Sequence, residues 1–219
     1  MIIAITNLKG GVGKTTVSIN LAVAFALRGK SVCLVDMDEG QRSASMWAGN
    51  RAEAEKEPHI EVVIKTDKQL FKDVAEYKKR FDIVLIDGVP TLEDVQGRII
   101  WASDILIVPL SPSELDYRSF EEFLETYEKF KNSRDVEGRK VEAYALMNRV
   151  VKAANMSKVI EKALGHYDTI PTLKSKLGQR TAYIETISEG MGVMEWKDEK
   201  ARTEMEALAI EIETIIEKF

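Results

Sequence analysis

The residues with the plainest chemical purpose are Lys9-Gly10-Gly11-Val12-Gly13-Lys14-Thr15-Thr16. They follow a short apolar run, Ile2–Thr6, and precede a stretch with helical apolar spacing, Thr15–Arg28. A strand therefore leads into a glycine turn and then a helix, the context a phosphate loop requires. Glycines at such a turn let backbone N–H groups point at phosphate oxygens, and the helix aims its positive end at the same charge. Gly10, Gly11, Val12, Gly13, Lys14, Thr15 and Thr16 are the expected cradle. Lys14 reaches the β- and γ-phosphates, and the Thr15 hydroxyl ligates Mg²⁺. The usual pattern places a glycine where this chain has Leu8, so a strict motif search passes over it.

Further carboxylates fall where such a site needs them. Asp36 and Asp38 follow the apolar run Ser31–Val35, and Asp87 ends Ile83–Ile86. Ligands in parallel sheets lie at the carboxyl ends of strands, which makes Asp36 and Asp87, with Thr15, the expected Mg²⁺ ligands. Asn148 and Arg149 stand at the end of another strand, Val141–Met147, and are expected near the nucleotide base.

The elements that must position these groups alternate along the chain. Strands are read at Glu61–Ile64 and Ile105–Val108, and helices at Lys68–Lys79 (with Leu70, Phe71, Val74 and Tyr77 apolar), Leu92–Trp101 and Ser113–Phe130. Ser113 and Asp116 form a candidate capping box. Helices follow at Met156–Leu164, Gln179–Ser188 and Glu199–Phe219, and Arg51–Glu57 reads as a solvated loop or helix end. The strands are continuous apolar runs, as expected when both faces of a sheet are covered. The fold class is α/β: a doubly wound, mostly parallel sheet with helices on both faces, in one domain spanning 1–219. The lone cysteine, Cys33, sits in an apolar strand, which excludes an internal disulfide and an iron–sulfur or zinc site built from this chain's cysteines. The N-terminus has neither a basic segment nor a cleavage site, and no apolar stretch approaches 18 residues, so the expected location is the cytoplasm.

Lys9, directly before the glycines, makes the run similar to the deviant Walker A motif of the ParA/MinD superfamily of P-loop ATPases. The resemblance covers nearly the whole chain, and small plasmid-partition ParA proteins without an N-terminal helix-turn-helix are the most similar branch. It implies ATP and Mg²⁺ as ligands and a homodimer formed with ATP. Lys9 would cross the dimer interface to the partner's nucleotide, Lys14 would be the ordinary loop lysine, and Asp38 would orient the attacking water. Phe81–Asp87 resembles the family's Walker B strand. Val108–Asp116 resembles a segment near nucleotide and interface, and Gln179–Tyr183 resembles the C-terminal region. One departure stands out: the family's Asp-x-Asp-Pro-Gln is here Asp36-Met37-Asp38-Glu39-Gly40-Gln41, one residue longer and without proline.

The branches of that family differ in sequence. Iron–sulfur branches need cluster cysteines that are absent here. A membrane-binding C-terminal helix is basic, whereas Met205, Leu208, Ile212, Ile215 and Phe219 oppose Glu204, Glu206, Glu211, Glu213 and Glu217. That acidic face would be repelled by anionic lipid, so the helix is expected on the body of the protein and no membrane partner is expected. Net charge is −5, so DNA binding needs a local patch. Two acid-free windows, Ala143–Ile160 and Pro171–Ile184, supply Lys152, Lys158, Lys174, Lys176 and Arg180 as candidate phosphate contacts. The resemblance thus implies a nucleoid-associated partition ATPase, stimulated by a ParB-like centromere-binding adaptor. The alternatives are a positioning ATPase for a protein cargo and a small-molecule P-loop kinase or ligase.

Overall fold

The computed structural model describes Met1 to Phe219 apart from Glu39, Thr66, Thr91, Leu92, Lys152 and Ala153 and the side chains of Asp67, Lys68, Gln69, Phe71 and Glu93. The expectations placed on Lys152, on Glu39 in the lengthened loop, on Leu92 as a helix start and on the Phe71 side chain lie outside the described residues.

The chain builds a six-stranded sheet in the order β3-β2-β4-β1-β5-β6. The strands are β1 (Ile2–Ile5), β2 (Val32–Asp36), β3 (Glu61–Ile64), β4 (Ile83–Asp87), β5 (Ile105–Leu110) and β6 (Glu142–Met147), and every pairing is parallel. The helices are α1 (Lys14–Leu27), α2 (Ser43–Glu53), α3 (Asp67–Arg80), α4 (Glu93–Ala102), α5 (Glu114–Val136), α6 (Asn155–Leu164), α7 (Ala182–Ser188) and α8 (Glu199–Ile216), with a 3-10 turn at Val193–Glu195.

Alternate residues of each strand enter different cores. Ile3, Ile5, Leu34, Leu85, Ile105 and Ile107 pack with α1 and α8, while Ala4, Cys33, Val35, Val84, Ile86, Leu106 and Val108 pack with Leu70 and Val74 of α3, Ile99 of α4 and Phe120 and Phe123 of α5. This two-sided burial is why the strands read as unbroken apolar runs. α8 docks through Met205, Leu208 and Ile212, all fully buried, as expected, while on its acidic face Glu206 and Glu217 are exposed and Glu204, Glu211 and Glu213 are half-buried, held by Arg180, by the backbone N–H groups of Lys174 and Ser175, and by Arg28.

Three local expectations are corrected. The body of α2 was not read from the sequence, although its end falls in Arg51–Glu57, read as a solvated loop or helix end, and within that segment Arg51 is not solvated. Its guanidinium is buried, donates to Gly190 O and Pro58 O, and pairs with Glu195. A buried cation with a carboxylate and carbonyls around it looks, in sequence, like any surface arginine. Ser113 does cap α5, its Oγ accepting from Asp116 N (3.1 Å), but Asp116 does not close a box; its carboxylate is used elsewhere. α7 begins at Ala182, and Gln179–Thr181, expected in the helix, lie before it, with Thr181 as its N-cap.

Candidate nucleotide site

The loops after β1, β2, β4, β5 and β6 converge at the carboxyl edge of the sheet, and the chain leaves the central β1 there through the glycine turn. Gly11 and Gly13 have φ of 76° and 94°, left-handed values that glycine adopts without a Cβ penalty. Gly13 is also the N-cap of α1 and no side chain caps that helix, so its first N–H groups are left for an anion. A Cβ on Gly13 would collide with Asn148 Nδ2, which donates to Val12 O at 2.7 Å. Asn148, expected as a nucleotide contact, therefore holds the loop from behind. Lys14 folds back across the loop, with Nζ 2.7 Å from Lys9 O. Burial pushes its pKa down to about 8, and a phosphate would restore the charge.

The carboxylates occupy different environments. Asp36 and Asp87 are register neighbours at the ends of β2 and β4. Burial pushes Asp87 up to about 7, against the pull of the Thr15 and Ser18 hydroxyls, and Asp36 adds repulsion. Ser18 Oγ donates to Asp87 Oδ1 at 3.1 Å. Asp36 is buried but committed to protein donors: Oδ1 accepts from Asp38 N, and Oδ2 from both Ser45 N and Ser45 Oγ. It ties the start of α2 to the sheet. Asp38 Oδ1 accepts from Gly40 N and Gln41 N, so that carboxylate organises its own loop. No group of three or more His, Cys, Asp or Glu able to hold a metal occurs among the described residues. Thr15 and Asp87, whose side chains are hydrogen-bonded, could hold Mg²⁺ together with nucleotide, since that ion needs only one or two protein oxygens beside phosphate and water, and it would neutralise phosphate charge.

Lys9 lies on the outer wall of the loop and its ammonium pairs with Asp116. Asp116 is held low chiefly by hydrogen bonds from Lys9, Ser111 and Ser113, which outweigh its burial. Its Oδ2 accepts from Ser111 N at 2.9 Å. Asn7 locks the same corner: its Oδ1 accepts from Lys9 N (3.0 Å) and Ser119 Oγ (3.1 Å), and its Nδ2 donates to Pro109 O (2.9 Å). The Val108–Asp116 segment thus sits against the phosphate loop, as the resemblance implies. Asn7 and Ser18 were not expected as parts of the site, and Asp116 was expected only as the end of a segment near it. Asn7 alone carries a sequence signal, an amide between an apolar strand and the glycines.

The candidate DNA contacts gather beside the loop that follows β6. Lys158, Lys176 and Arg180 line a groove of ≈ 530 Å³ together with Lys200. Lys176 is paired with Glu161 and Arg180 with Glu204, and Lys174 is exposed beside Glu211, which accepts its backbone N–H. The acid-free windows of the sequence are not acid-free in space, because α6 and α8 bring carboxylates to them. Arg149 is exposed with φ 54°, and its N–H donates to Asn148 Oδ1. The fold places it at the loop edge by β6.

A glycine loop that opens an uncapped helix, a buried lysine folded across it, and a carboxylate at the adjoining strand end bonded by hydroxyls of that helix define a P-loop nucleotide-binding protein. The chain belongs to the CobQ/CobB/MinD/ParA nucleotide-binding domain family, whose model matches residues 3–193. It is a ParA/MinD-type ATPase using ATP and Mg²⁺. Over 202 residues it is 28% identical to the maintenance of carboxysome distribution protein A of Gloeobacter kilaueensis, covering 92% of this chain and 87% of that one. Over 194 residues it is 24% identical to the protein of the same name from Halothiobacillus neapolitanus, covering 88% and 86%. The solved structure of the septum site-determining protein MinD with Mg-ADP from Pyrococcus horikoshii superposes with a TM-score of 0.77 at 18% identity, covering 98% and 96%. Among the described residues no helix is long and apolar enough to cross a membrane.

Proposed function

We propose that this chain is a positioning switch: ATP closes two copies face to face, the dimer holds DNA without sequence preference, and hydrolysis releases both. The observation that carries it is the position of Lys9. Its ammonium stands outside the loop that Lys14 already serves and is held by the Asp116 carboxylate. A lysine so placed is poised to serve a phosphate other than its own.

In this reading the N–H groups of Gly10–Thr16 and Lys14 bind the phosphates, while Thr15 and Asp87 hold Mg²⁺ with Asp36 behind them. Asp38, released from Gly40 and Gln41, orients water toward the γ-phosphate. Asn148 and Arg149 border the base end. Dimerisation would double the number of phosphate contacts available from Lys158, Lys174, Lys176, Arg180 and Lys152, raising DNA affinity by avidity. The setting is the cytoplasm, on the nucleoid. The cargo read from the sequence is a plasmid or chromosome carried through a ParB-like adaptor. The two carboxysome-distribution relatives, matched over most of their length, favour the alternative of a protein assembly as cargo.

The test is sedimentation of the Asp38→Ala protein with ADP and with ATP, with and without non-specific duplex DNA. An ATP-dependent dimer that carries DNA and loses it as salt rises is the expected result. A monomer in both nucleotides that ignores DNA would overturn the switch and favour a small-molecule kinase or ligase.

A further inference from the structure

A fully buried glutamine, Gln96, lies in α4 among apolar residues. A buried amide is costly unless both its ends are satisfied, and a methionine of similar volume would fill the same space without that demand. Both ends of Gln96 are satisfied, and by the two loops that flank the phosphate site. Its Nε2 donates to Val89 O at 3.1 Å, which fixes the orientation of the amide because a carbonyl can only accept. Its Oε1 accepts from Thr6 Oγ1 at 2.6 Å, and Thr6 is the residue that carries β1 into the phosphate loop.

Val89 belongs to the turn that follows Asp87. Gly88, before it, is pinned to β1: its N–H donates to Ile5 O (3.0 Å), and a Cβ there would meet Ile5 O and Thr6 Oγ1 at 2.9 Å. Pro90, after it, stands beside the phosphate loop, 3.8 Å from where a Cβ on Gly10 would lie. Lys14 reaches toward the same end of the loop, against Lys9 O. The Gly88–Pro90 turn therefore borders the outer phosphate end of the cradle, the end that differs between a nucleoside triphosphate and a diphosphate.

We propose that Gln96 is a positioning residue that fixes the Gly88–Pro90 turn to β1 and thereby lets the site discriminate triphosphate from diphosphate. It touches neither nucleotide nor ion; it acts through the carbonyl of Val89. The inference rests on the nucleotide reading of the site.

The test measures affinity for Mg-ADP and for a non-hydrolysable Mg-ATP analogue by titration calorimetry in the wild-type protein and in Gln96→Met and Gln96→Glu. Gln96→Glu, which burial keeps protonated, can still accept from Thr6 and donate to Val89. Gln96→Met is expected to hold ADP within about twofold and to weaken the analogue by about tenfold, the scale of one lost buried hydrogen bond, and Gln96→Glu to keep the wild-type ratio. Equal weakening of both nucleotides in Gln96→Met, or a wild-type ratio there, would overturn the proposal. Should either variant lose the wild-type circular dichroism, Thr6→Val removes the other tether with little change of shape, and an unchanged ratio there would overturn it too. A wild-type chain that binds neither nucleotide would instead fail the nucleotide reading itself.

Discussion

Replacing Asp116 by Asn tests whether the Lys9 contact restrains the switch. Asn keeps the shape and can still accept from Ser111 N, so the change removes chiefly the charge facing Lys9. The Lys9 side chain is 33% exposed and that of Asp116 7%. Exposed pairs contribute at most about 1 kcal/mol, and breaking a fully buried one costs about 3–5 kcal/mol. With one partner a third open to solvent, the pair is set near the lower figure, about 1 kcal/mol. The monomer should lose that amount, lowering its melting temperature by about 2–4 °C. The dimer should move the other way. If Lys9 must leave Asp116 to cross the interface, each protomer of the wild type spends the contact on dimerising. Removing it from two protomers returns about 2 kcal/mol, a dimer tighter by about thirtyfold. Sedimentation velocity across a concentration series with a non-hydrolysable ATP analogue reads this directly. A dimer constant unchanged or weaker in Asp116→Asn would refute the idea that the contact is broken on the way to the dimer.

Other outcomes follow from the same geometry. Asp87 has its folded pKa raised from 3.8 to about 7, so between those values the folded state binds more protons than the unfolded one. Nucleotide-free stability should therefore fall as pH rises through that window, and the gain in melting temperature from Asp87→Asn should be larger at pH 8 than at pH 5. Gly13→Ala places a Cβ against Asn148 at a φ of 94°; it should lower stability by about 1 kcal/mol or more and abolish nucleotide binding measured by calorimetry. Glu161→Gln with Glu204→Gln frees Lys176 and Arg180 from their ion pairs. If those cations contact DNA, affinity for duplex rises and the salt dependence steepens by about 2 per protomer, read from log K against log salt.

The sequence alone determined whatever depends on local chain chemistry. A glycine run between an apolar strand and a periodic helix specifies a phosphate cradle, because only that order points N–H groups and a helix end at one anion. Apolar runs without alternation specify strands covered on both faces, and the observed sheet divides those residues between two cores. The apolar stripe of the last helix likewise settled which residues it docks through.

Tertiary structure decided what each polar group does with its bonds. Asp116 looked like half of a capping box, yet its carboxylate is taken by Lys9 of a distant segment and by Ser111 N, while its own N–H still donates to Ser113. Asp36 looked equivalent to Asp87; Ser45 takes up one and burial strains the other. Gln96 and Arg51 carry no mark in sequence, since their partners lie in other elements. The basic windows were acid-free along the chain and paired with Glu161 and Glu204 in space. The physical reason is common to all of them: propensity and periodicity are read over a few neighbouring residues, whereas the partner of a buried or paired polar group is chosen by the approach of segments far apart in the chain.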